Sequence, residues 1–163
     1  ANPRMGVAEP VNVMKYELQS VENKDAGVVG ILDMAGQEQI KRVYGTNGKC
    51  ATLTTCQGGH REPKVFEKIA EPLNAENMKI REATKAAPIY EVKDGFITVK
   101  GKKYPIKLVD GFYIIRKLTV RECMRLQTVP EWYEWPVSKS QAYKMLGNGW
   151  TVEVIAHLLR GLK

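Results

Sequence analysis

Through the first 118 residues the apolar positions gather into short runs broken by glycine, asparagine and aspartate, and beyond them the spacing turns helical. Val28-Val29-Gly30-Ile31-Leu32 is a continuous apolar run of strand length, as expected of a strand covered on both faces. Ile40 to Tyr44 predicts a half-exposed strand. Gly45-Thr46-Asn47-Gly48 predicts a turn, because Asn-Gly readily supplies positive φ angles. The Thr-rich run from Cys50 to Cys56 continues as strand until Gln57-Gly58-Gly59 breaks it. Residues 67–87 are polar, rich in Ala and Glu and weakly periodic, and read as an insertion with one short helix. Strand-like runs follow at Ile89 to Val92, Phe96 to Val99, Tyr104 to Leu108 and Phe112 to Ile115. Asp94-Gly95, Lys100-Gly101 and Asp110-Gly111 stand between them as tight turns, which predicts a meander.

After Lys117 the signals are those of helices. Thr119-Val120-Arg121-Glu122 is a capping box: the Thr hydroxyl accepts from the amide three residues on, and the Glu carboxylate reaches back. It opens a helix containing Cys123, Leu126 and Gln127 that Pro130 stops. Ser138 to Gln141 repeats the cap before Ala142 to Leu146, and Gly147-Asn148-Gly149 ends that helix. From about Thr151, residues Val152, Val154, Ile155, Leu158, Leu159 and Leu162 form the apolar side of a final amphipathic helix. The pattern predicts an α+β chain, with a β-rich domain over residues 1–118 and a helical segment over 119–163.

Composition narrows the class. With 163 residues, 44% of them hydrophobic, the chain can bury a core. It contains no apolar run of membrane-spanning length, and Ala1 to Gly6 carries no secretory signal. Cys50, Cys56 and Cys123 are odd in number and lack CxxC spacing, which argues against a disulfide scaffold or a zinc site and fits a reducing cytoplasm. His60 and His157 are too far apart to suggest a metal pair. Net charge is +7, and its distribution matters more than its size. Lys41, Arg42, Lys49, Arg61 and Lys64 face a single acid, Glu62, and a second basic cluster comprises Lys100, Lys102, Lys103 and Lys107. Two basic patches separated by polar and glycine residues are compatible with a phosphate-backbone footprint and equally with a solvated surface.

Three segments go further. Gln39-Ile40-Lys41-Arg42-Val43-Tyr44-Gly45-Thr46-Asn47-Gly48, then Ala51 to Thr55 and Gly58-Gly59, resembles the target recognition domain of cytosine-5 DNA methyltransferases. There a Gln-x-x-Arg-(Ile/Val)-Tyr-Ser-x-x-Gly run precedes a Thr-Leu-(Ser/Thr) step and a glycine pair. Arg116 to Gln127 resembles the family's ninth motif, and Ser140 to Val152 its tenth, with Gln141, Tyr143, Lys144, Gly147 and Asn148 in place. Departures are Val120 for the usual Pro, Thr128-Val129 for Gly-(Phe/Tyr), and Gly149-Trp150 for a small residue and Val. The last is a step shared with animal de novo methyltransferases.

The resemblance implies sequence-specific reading of double-stranded DNA, with contacts from Gln39, Lys41, Arg42, Tyr44, Lys49, Thr52, Thr54, Gly58, Gly59 and Arg61. Arg42 is the candidate for guanine O6 and N7, with a phosphate contact or an ion pair as the plainer role. Gln39 matches a residue that fills the gap left by a flipped base, or is simply exposed at a strand end. Thr52 matches a phosphate-holding threonine. Lys41, Lys49, Arg61 and Lys64 would supply phosphate attraction. Asn148, Gly149 and Trp150 match a turn lining the S-adenosylmethionine pocket, although Trp150 could equally anchor a core. Family chemistry needs a Pro-Cys-Gln nucleophile loop, a Glu-Asn-Val motif and a Gly-rich cofactor loop, and the sequence contains none of them. Cys56-Gln57 follows Thr55, not Pro. No catalytic residue is therefore expected here, and a catalytic domain or separate subunit is the implied partner. A stand-alone DNA-binding module is the alternative; the cofactor-type turn, useless to a pure DNA binder, favours the enzyme part.

Overall fold

The computed structural model describes residues 13–22, 27–46, 52–54, 61–69 and 87–162. They fall into two compact units, one within Ala1–Cys50 and Pro63–Lys117, the other within Ala51–Glu62 and Leu118–Lys163.

The first unit is built on strands β1 (Leu18–Val21), β2 (Val28–Leu32), β3 (Arg42–Gly45), β4 (Lys64–Ile69), β5 (Tyr90–Lys93), β6 (Phe96–Val99), β7 (Lys102–Pro105) and β8 (Gly111–Lys117), with a one-turn helix α1 (Glu38–Lys41) before β3. They form one sheet in the order β1-β2-β3-β4-β8-β5-β6-β7. As the apolar run implies, β2 is buried along its whole length. At Gly30 a Cβ would stand 2.7 Å from the Ser20 carbonyl and 2.8 Å from a Leu18 methyl, so only glycine lets β1 approach this closely.

Both hairpins of the β5–β7 segment turn as expected. Asp94 and Gly95 have φ of 53° and 75°, and Lys100 and Gly101 have 48° and 77°. Successive positive φ angles match the right-handed twist of the flanking strands. Beyond β7 the expected meander fails. β8 lies between β4 and β5, pairing antiparallel with both. β4 itself includes residues assigned by sequence to a helical insertion; the rest of that stretch, 70–86, lies outside the described residues. Its charges hid it. Lys64 is buried, and Glu67 forms an ion pair with Arg116 of β8, itself only 6% exposed. A strand whose ionic groups are satisfied by neighbours shows no apolar alternation.

β3 also departs from expectation. It starts at Arg42, because Ile40 and Lys41 finish α1, and both Val43 and Tyr44 are buried. Enclosure between β2 (antiparallel) and β4 (parallel) leaves no half-exposed face. The sheet curls into a nearly closed barrel: the Leu18 amide of β1 donates to the Tyr90 hydroxyl of β5 over 2.7 Å, although five steps of the strand order separate them. Phe66 stacks on Tyr113 with ring centroids 4.8 Å apart and touches Tyr90 at 5.6 Å, inside a core that includes Leu18, Leu32, Val43, Val92, Ile97 and Ile115. Burial pushes the Tyr90 hydroxyl up to about 12.

The second unit contains helices α2 (Val120–Leu126), α3 (Lys139–Asn148) and α4 (Val152–Leu159). The capping box forms in full: Glu122 N–H donates to the Thr119 hydroxyl at 3.2 Å and Thr119 N–H to the Glu122 carboxylate at 2.8 Å. Ser138 caps α3, accepting from the Gln141 amide at 3.4 Å. Leu118, Cys123, Met124, Ala142 and Leu146 are buried, and so is Leu53. Residues 52–54, expected within a strand, have no strand pairing. On α4 nothing is buried; Val152, Val154, Leu158 and Leu159 are all exposed. The fold is α+β, dominated by the sheet.

Candidate nucleic-acid interface

In the first unit, the corner made by α1 and the start of β3 carries Gln39, Lys41 and Arg42 within four residues. Three devices hold it. Gly36, at φ +121°, leaves room for Ile40: a Cβ there would be 2.4 Å from the Ile40 Cδ1. The Lys64 ammonium, 1% exposed, donates to the Ile40 carbonyl at 2.7 Å and so satisfies the end of α1. Arg42 pairs with Glu38 across one helical turn at 2.9 Å. Lys64 is therefore a bolt beneath the corner and not a phosphate contact, contrary to the sequence reading.

Gln39 is exposed on α1, Lys41 is half-buried, and the Arg42 side chain is 36% exposed. Glu38 first, and then the Tyr44 hydroxyl, hold the Arg42 guanidinium in its charged form. Tyr44 is buried behind it. An exposed pair at this spacing is worth only ~0.3–0.5 kcal/mol, whereas a bidentate arginine–guanine contact discriminates by ~1–3 kcal/mol. A base contact would therefore outweigh the Glu38 pair, which competes only weakly for the guanidinium.

Thr52, Thr54 and Arg61 belong to the second unit. Thr52 is exposed, and the Thr54 hydroxyl donates to the Arg61 carbonyl at 3.2 Å, tying the two segments together. Lys49, Gly58 and Gly59 lie outside the described residues, as does the expected Asn47-Gly48 turn.

The turn after α3 is fixed by a residue that the motif reading passed over. Gln127, at the end of α2, donates its side-chain amide to the Leu146 carbonyl at 2.9 Å and the Gly149 carbonyl at 3.5 Å, and its side-chain oxygen accepts from the Thr151 hydroxyl at 2.9 Å. Its backbone carbonyl accepts from Val152 N–H at 2.9 Å, while Thr128 Oγ accepts from Glu153 N–H at 2.9 Å. The result is a rigid loop on which Asn148 and Gly149 are exposed and Trp150 is 75% exposed. Trp150 is therefore no core anchor among the described residues.

Two of the missed residues were visible in principle. Glu38 sits at the helical i, i+4 spacing from Arg42. Gln127 ends the ninth-motif segment. Lys64 gave no local signal, because its partner is 24 positions away in sequence. Among the described residues no group of His, Cys, Asp and Glu could hold a metal ion, and no helix is long and apolar enough to cross a membrane.

Known proteins resemble this chain over most of its length. A family model for the C-5 cytosine-specific DNA methylase matches residues 11–163. The orphan methyltransferase M.SPBetaI of Bacillus phage SPbeta is 36% identical over 160 residues, covering 89% of this chain and 34% of that protein. The putative type II methyltransferase M.BsuMIIP of Bacillus subtilis (strain 168) matches to the same extent. The type II methyltransferase M.AluI of Cellulosimicrobium cellulans is 46% identical over 46 residues, 28% of this chain and 9% of that protein. The chain spans about a third of the length of the phage and Bacillus relatives it matches. It belongs to the C-5 cytosine-specific DNA methylase family.

Proposed function

We propose that this chain is the target-reading, C-terminal part of a DNA (cytosine-5-)-methyltransferase, with the catalytic part supplied by the same longer protein or by a separate subunit. One observation carries the reading: the family match runs through recognition-type and cofactor-turn segments, yet no Pro-Cys-Gln or Glu-Asn-Val motif occurs in the sequence. On this reading Arg42 leaves Glu38 to bond a guanine edge in the major groove, and Tyr44 supports it from behind. Gln39 enters the space vacated by the flipped cytosine. Thr52 holds a backbone phosphate, helped by Thr54, which fixes its segment to Arg61. Lys41, Lys49 and Arg61 neutralise backbone charge, and Gly58 and Gly59 permit close approach of the main chain. Asn148, Gly149 and Trp150 form one wall of the cofactor pocket. S-adenosylmethionine, when bound, supplies the methyl group that C5 of the flipped base accepts. The nucleophile that activates C5 comes from the partner part, so the chain by itself is inactive. The setting is the cytoplasm, where both DNA and cofactor are available.

The test combines the chain with its adjoining sequence, or with a candidate catalytic subunit, plus labelled S-adenosylmethionine and duplex DNA. Methyl transfer is expected only in the combination. Intact DNA binding without transfer in every combination would leave a binding module with no enzymatic role.

A further inference from the structure

The outer face of the β5–β6–β7 sheet has no part in the reading above. Alternation along these strands points Val92, Ile97 and Val99 into the core and Glu91, Lys93, Phe96, Thr98 and Lys103 outward. Register places Lys93 opposite Phe96, Phe96 opposite Pro105 and Thr98 opposite Lys103. Phe96 is 49% exposed, and it helps to line a depression of about 410 Å³ with Lys93, Lys103, Thr98, Glu91 and Asp94. A single exposed aromatic is ordinary. One with a lysine directly across on β5 and a second diagonal to it on β7 is a chemical pattern. It offers a π surface, two cationic donors, a hydroxyl and, at one rim, carboxylate acceptors. Lys107, just past the edge strand β7, is exposed as well.

We infer that this face binds an unpaired nucleic-acid strand, with a base stacked on Phe96 and its phosphates on Lys93 and Lys103. Each group has a counterpart in such a strand: the base face for Phe96, phosphates for the lysines, and exocyclic amines for Glu91. Free phosphate would leave Phe96 unused, and an apolar ligand would leave the lysines unused. A duplex keeps its base faces stacked inside and cannot reach Phe96. Phe96 and Arg42 stand on different strands that are not neighbours in the sheet. The face uses none of the residues of the Arg42 corner, so the inference holds whether or not Arg42 reads a base.

The experiment uses the full chain and a ten-nucleotide deoxyoligomer carrying 5-iodouracil. Ultraviolet cross-linking mapped by mass spectrometry is expected to mark Phe96. Phe96→Ala is expected to weaken oligomer binding about tenfold. Lys93→Ala and Lys103→Ala should each reduce the slope of log affinity against log salt by ~0.7. All three side chains face outward, so the variants are expected to fold, which circular dichroism checks. Cross-links confined to other residues, or Phe96→Ala binding as tightly as the parent, overturns the inference. So does a salt slope unchanged by both lysine substitutions.

Discussion

A lysine that is 1% exposed answers to the fold and not to a ligand, and Lys64 shows why charge runs mislead when read along a sequence. Replacing it with methionine keeps its length and removes the donor, leaving the Ile40 carbonyl without it. An unmet buried acceptor costs ~1–3 kcal/mol, measurable as a lower urea midpoint. Because the Ile40 carbonyl immediately precedes Lys41 and Arg42, Lys64→Met should also reduce discrimination between target and scrambled duplexes, with Lys64→Arg restoring part of it. Arg42→Ala is expected to lose ~1–3 kcal/mol on the target duplex and much less on a scrambled one; equal losses on both would make Arg42 a phosphate contact. Glu38→Gln removes the competing carboxylate and should tighten duplex binding in a fluorescence titration at low salt. Tyr90 sets an alkaline limit. The unfolded chain releases the tyrosine proton near pH 10, but the folded chain holds it to about 12, so the unfolded state binds fewer protons in between. Stability present below pH 10 is therefore lost as pH rises through about 12, and Tyr90→Phe should flatten that part of a melting-temperature profile.

Elements whose causes are local were legible in the sequence. The Thr119–Glu122 cap, the Asp94-Gly95 and Lys100-Gly101 turns and the apolar β2 all rest on residues within a few positions of one another. Thr119→Ala tests the first of these and should cost ~1 kcal/mol in thermal or urea unfolding, since it strips one half of the capping box. The parallel pairing of β3 with β4 and the insertion of β8 between β4 and β5 were not legible, because both join residues distant in sequence. Buried charges compounded the difficulty: Lys64, Glu67 and Arg116 break the alternation that would have announced their strands, and their partners become apparent only once the sheet is assembled. The candidate site divides in the same way. Motif spacing nominated Gln39, Arg42 and the Asn148 turn, but not the supporting roles of Lys64 and Gln127.

At the scale of the whole molecule, the exposed apolar side of α4 is the plainest sign of unfinished business. Val152, Val154, Leu158 and Leu159 sit on a helix with no buried residue, and Leu162 beyond it is 74% exposed. On the proposed function, amides of α4 should exchange rapidly in this chain and become protected when the catalytic part is added. Leu158→Lys should then block that association while leaving DNA binding in place. Unchanged exchange in the complex would mean that the helix is covered by something else. The corner at α1 points toward the history of such proteins. Its main supports, Gly36 and Lys64, come from the preceding loop and from a distant strand, while Gln39 is exposed and the Arg42–Glu38 pair lies at the surface. On the proposed function, surface letters at such a corner can be rewritten one at a time without unfolding the scaffold, so a lineage could acquire a new DNA word by point substitution alone.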